Sequence, residues 1–81
     1  MPTLRYTISE IIMFLQLNNI HCKYVSAKDE MTDDSIEINK NLHIQCQEDG
    51  NFTLVQQIDE IFKFFRVRTN PMDLLKDINS I

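Results

Sequence analysis

Two histidines and two cysteines are the side chains best suited to chemistry in this sequence: His21 beside Cys22, and His43 three residues before Cys46. Four such groups could build a zinc site, because Cys and His are its usual ligands. The spacing argues against it. Adjacent His21 and Cys22 are not a standard ligand pair, and neighbouring side chains on a strand point to opposite faces. His43 and Cys46 stand an odd number of residues apart, so they diverge as well. The same parity disfavours a Cys–His nucleophilic pair within one strand. The sequence predicts no metal and no cofactor, two buried free cysteines and two exposed histidines. A small metal- or thiol-dependent enzyme remains an alternative only through pairing across strands.

The charged residues form two groups. Asp29, Glu30, Asp33, Asp34 and Glu37 fall in one stretch. A calcium loop needs oxygen ligands at alternating positions and a glycine at its sharp turn, and this stretch has neither. It reads as a solvated loop, with an acidic docking patch for a basic partner as the variant. Lys63, Arg66 and Arg68 are the basic group. They carry the alternative reading of a nucleic-acid-binding module; the bland reading is a charged strand edge that discourages aggregation. Together with a helix–strands–helix order they give a chain that resembles double-stranded-RNA-binding domains in element order only. Those domains use a strongly basic last helix, whereas the last helix here carries Asp73 and Asp77 beside Lys76. The phosphate contacts that would drive affinity are therefore missing. One glycine excludes a Gly-rich phosphate loop, and no close pair of acids reads as general acid and base. The expectation is a protein that is not an enzyme.

Hydrophobic periodicity supplies the elements. Thr7 and Glu10 have capping-box spacing, and Tyr6 with Ile11 has the spacing of a hydrophobic staple. Ile8, Ile11, Ile12 and Leu15 make one apolar stripe of a helix, which Asn18 and Asn19 should stop. Met13, Phe14 and Leu17 project from the other side, so a second surface is expected to cover them. Ile20 to Val25 reads as a strand, and alternation from Ser35 to Gln47 as two more. A turn at Asn39, Lys40 and Asn41, with Asn41 left-handed, would set Ile38 opposite Leu42 and Ile36 opposite Ile44. Gly50 suits the left-handed position of a three-residue loop from Glu48, which sets Cys46 against Phe52 and Ile44 against Leu54.

Residues 53–66 fit either a helix or two strands. Strands are preferred because Phe62 to Val67 is rich in strand formers. A turn at Ile58, Asp59 and Glu60 then puts Phe62 and Phe64 on the inner face, and Val55, Ile61, Phe65 and Val67 on the outer one. Asn70 and Pro71 open a last helix whose apolar face is Met72, Leu75, Ile78 and Ile81.

The chain has 81 residues, 43% of them hydrophobic and 25% charged, with a net charge of −4. This fits one globular domain over residues 1–81. Acidic balance disfavours nucleic acid and anionic membranes. The apolar run Ile11 to Leu15 follows Glu10 directly and is too short for a secretory core or a membrane span, and the expected compartment is the reducing cytoplasm. The fold expected is α+β: an antiparallel β-meander of three to five strands with one helix before it and one after it. The function expected is a small non-catalytic protein-interaction domain, of adaptor, inhibitor or immunity type, that forms a homodimer or binds a protein partner. Its interface candidates are Met13, Phe14, Leu17, Val55, Ile61, Phe65 and Val67, the apolar side chains that one small core does not need.

Overall fold

Thr7 starts the first helix as its spacing requires. The Thr7 amide donates to Glu10 Oε1 at 3.1 Å and the Glu10 amide donates to Thr7 Oγ1 at 3.2 Å, closing the capping box. A computed structural model describes residues 6–28, 34–47 and 50–81. Helix α1 (Ile8–Leu17) ends at Asn18, and Asn19 takes the left-handed conformation with φ 63°. Five strands follow: β1 (Lys23–Val25), β2 (Ser35–Asn39), β3 (Leu42–Cys46), β4 (Phe52–Ile58) and β5 (Ile61–Arg68). Helix α2 (Pro71–Asn79) closes the chain; its Asn70 cap accepts the Met72 amide at 2.8 Å. The strands hydrogen-bond in sequence order, each antiparallel to the next. This is the α+β meander between two helices.

Both helices cover one face of the sheet. Ile11 and Leu15 of α1 and Leu74 of α2 close over Ile36, Ile44, Phe52 and Leu54. These four come from alternating positions of β2, β3 and β4, so one parity of the meander builds the core. Ile36 faces Ile44, Ile44 faces Leu54 and Cys46 faces Phe52, all as expected from the pattern. Gly50 has φ 86°, the left-handed value that suits glycine. The acidic residues Asp29, Glu30 and Asp33, and Glu48 and Asp49 of the expected loop, lie outside the described residues.

Four local expectations are corrected. Strand β1 covers only the end of the stretch from Ile20, and Ile20 itself packs against the core. Asn39, not Ile38, faces Leu42, because β2 bulges between Glu37 and Asn39; Asn41 is not left-handed. Instead Asn39 Oδ1 accepts the Asn41 amide at 2.8 Å and organises the turn. The turn after β4 is a residue shorter than expected: Ile58 faces Ile61, and Asp59 takes φ 57°. That slip reverses the start of β5. Phe62 and Phe64 pair with Gln57 and Val55 on the outer face, while Ile61 and Phe65 fall on the helix side. A bulge against Leu54 then returns Val67 to the outer face, opposite Thr53. Finally, α2 buries Pro71, Leu74 and Asp77 in place of Met72 and Ile81, which stay exposed. Asp77 turns inward because Arg68 meets it with two hydrogen bonds of 2.8 Å, through Nε and Nη2.

Candidate interaction surface

The outer sheet face carries neither helix. Across β2 to β5 its middle row is Glu37, His43, Val55 and Phe64. Val55 is only 1% exposed, yet its neighbours Phe64 and Phe62 are 64% and 51% exposed. The two phenyl rings are tilted by 30° with centroids 6.5 Å apart. With Val67 they form an apolar stripe along β5, the edge strand. Between this stripe and the segment after β1 runs an open groove of about 720 Å³, with His43, Ser35 and Val25 among its lining.

His43 stands at the centre of this face, half-buried. Burial holds its imidazole below the ordinary value, partly offset by the Glu37 carboxylate opposite. Glu37 itself reaches Lys23 at 3.9 Å, an exposed pair of little energetic weight. At one end of the sheet Asp34 Oδ1 accepts the Ala27 amide at 2.7 Å. That bond and a second from the Tyr24 hydroxyl hold the Asp34 carboxyl below the usual range, and the Tyr24 phenol is raised in turn.

A second apolar patch lies on α1. Leu17 is 82% exposed and Met13 is also open to solvent, and with Phe14, Tyr6, Glu10 and Pro71 they bound a groove of about 290 Å³. The seven interface candidates therefore divide. Met13, Phe14 and Leu17 share the helix patch. Val55 and Val67 share the outer sheet face, with Val55 covered. Ile61 sits on the helix side at the hairpin tip, 73% exposed, and Phe65 packs against the core. Phe62 and Phe64, expected inside, are the exposed aromatics of the outer face. The missed signal was Asp59, a residue that tolerates the left-handed conformation of a two-residue turn.

The other groups do not converge. Cys22 is buried with Sγ 4.0 Å from the Ile12 carbonyl oxygen, and burial pushes its thiol up, which makes it a poor nucleophile. Neither cysteine is in a disulfide. His21 is exposed, and His43 lies on the face opposite the core parity of Cys46. Among the described residues no three His, Cys, Asp or Glu side chains gather as metal ligands, and no helix is long and apolar enough to cross a membrane. Of the basic group, Arg68 is held by Asp77, and Lys63 Nζ lies 5.0 Å above the Phe65 ring on the helix side. Arg66 is exposed at the bulge. No family model, characterised protein or solved structure matches the chain.

Proposed function

We propose that the chain is a small non-catalytic protein-interaction domain that self-associates in the cytoplasm through the outer face of its sheet. The observation that carries this reading is the exposure of Phe62, Phe64 and Val67 side by side on a sheet face that neither helix covers. Water-exposed aromatic and aliphatic groups in one contiguous patch cost free energy that a partner surface recovers. Aromatic side chains are also enriched at the centre of protein interfaces. A second copy supplies a matching patch through a two-fold axis. The nucleic-acid alternative has less support, since Arg68 is occupied by Asp77 and the exposed rings of Phe62 and Phe64 lie on the face opposite Lys63. That neither Cys22 nor Cys46 is in a disulfide is compatible with a reducing compartment.

Size-exclusion chromatography with light scattering, over a wide range of concentration, tests the reading. A dimer is expected, reduced to monomer by Phe64→Glu and retained in Leu17→Glu. A monomer at every concentration overturns self-association, and a dimer broken only by Leu17→Glu moves the contact to the helix patch.

A further inference from the structure

Strand β5 is eight residues long and forms one edge of the sheet, with no strand beyond it among the described residues. An edge strand presents backbone donors and acceptors that another extended segment can satisfy. Its charges all have one sign: Lys63, Arg66 and Arg68, in a chain whose net charge is −4. Arg68 is engaged by Asp77, so Lys63 and Arg66 are the cations left to an incoming strand. A second β5 is a poor candidate for that place, because antiparallel pairing would bring these cations near one another, and like charges across a ladder destabilise it. The opposite edge of another copy is poor too: β1 has only three residues and carries Lys23.

We propose that the free edge of β5 takes an extended acidic segment of a partner protein as a sixth strand. This rests on reading the chain as an interaction domain, but not on its self-association, which uses the face of the sheet and leaves the edge open. The regular ladder from Ile61 to Phe64 anchors the segment beside Lys63, and its continuation past the bulge reaches Arg66. Main-chain hydrogen bonds supply the affinity and alternate side chains the selectivity. Acidic side chains of the segment lie on the helix side beside Lys63, and apolar ones lie beside Phe62 and Phe64. A nucleic acid, the other common polyanion, fits less well. It needs bases stacked and phosphates neutralised from one face, and here the exposed rings of Phe62 and Phe64 lie on the face opposite Lys63, while the one ring beside Lys63, that of Phe65, packs against the core.

The test is fluorescence polarisation with a labelled peptide of alternating glutamate and valine, as long as β5. Saturable binding is expected, weakened by salt and weakened about tenfold by the double variant Lys63→Glu, Arg66→Glu. Both positions are exposed, and circular dichroism checks that the variant stays folded. Backbone N-methylation on alternate residues of the peptide is expected to abolish binding in one register and spare it in the other. No saturation at millimolar peptide overturns the proposal. So does equal binding of a lysine–valine peptide, indifference to N-methylation in both registers, or displacement of the peptide by oligo-deoxythymidine. Light scattering on the same sample separates the two readings. Peptide binding by a monomer sustains the edge site while self-association fails, and a dimer that ignores the peptide overturns the edge site alone.

Discussion

Thr53 and His43 are neighbours in kind: polar side chains on the outer face that the sheet has partly removed from water. Among the described residues the Thr53 hydroxyl has no hydrogen-bond partner, and it is buried in a residue only 4% exposed. Leaving such a group unpaired costs about 1–3 kcal/mol. Thr53→Val keeps the branched shape and removes the hydroxyl, so it is expected to raise the unfolding free energy by about 1 kcal/mol in a urea titration. A fall in stability would show that the hydroxyl contributes a bond. His43 gives a pH dependence. Its folded pKa is depressed, chiefly by burial, so the unfolded chain binds the proton first. Its contribution is therefore complete above about pH 6.5, the ordinary histidine value, and is lost as pH falls towards the folded pKa. Asp34 is also depressed, but it acts in a separate window, below about pH 3.9. Unfolding midpoints measured from pH 7.5 downward are expected to fall through the histidine window in the native chain. His43→Gln removes that step, and a variant retaining it would assign the step to another group.

At the scale of the elements, the contact that sets α2 on the sheet is the double hydrogen bond between Arg68 at the end of β5 and Asp77 in α2. Asp77 is buried, so breaking the pair leaves a desolvated group behind, whereas the exposed Lys23–Glu37 pair leaves none. Asp77→Asn is expected to lower the thermal midpoint by several times as much as Glu37→Gln, read by circular dichroism melting. Equal effects would mean that packing of Leu74 and Ile78 alone holds the helix. This pair also marks where the sequence stopped being informative. An aspartate reads as a solvent residue, so the pattern alone puts the apolar face of α2 on Met72, Leu75, Ile78 and Ile81 and gives no sign of the rotation that buries Asp77 against Arg68. By contrast, α1 was legible because its cap is local: Thr7 and Glu10 are three residues apart and need no distant partner. The pairings of Ile44 with Leu54 and Cys46 with Phe52 were legible because one glycine and strict alternation admit a single register. Strand β5 was not, because Phe64 and Phe65 are adjacent and one of them points outward in either register. The candidate site suffered most from this. A turn shorter by one residue replaced Ile61 and Phe65 on the outer face with Phe62 and Phe64.

The whole molecule is a slab of about 42 × 31 × 21 Å, with sheet and helices as its two layers. A chain of 81 residues buries a modest part of its surface, and its stability alone is correspondingly small. A second copy laid on the outer face would extend the layers and place Phe62, Phe64 and Val67 between two sheets. Association then adds to stability by mass action, so the thermal midpoint must rise with protein concentration. This dependence differs from a size measurement because it reads coupling between contact and fold. Phe64→Glu is expected to abolish the dependence while leaving the midpoint at the lowest concentrations nearly unchanged, since Phe64 is exposed in the single chain. Leu17→Glu is expected to retain it. A midpoint that stays flat with concentration in the native chain would sink the self-association reading. The same contact would bury His43 further and oppose its charging, because burial disfavours the protonated imidazole. The concentration dependence should therefore weaken below about pH 6 and persist there in His43→Gln. A pH-independent dependence in the native chain would place the contact away from His43 and return attention to Met13 and Leu17 on α1.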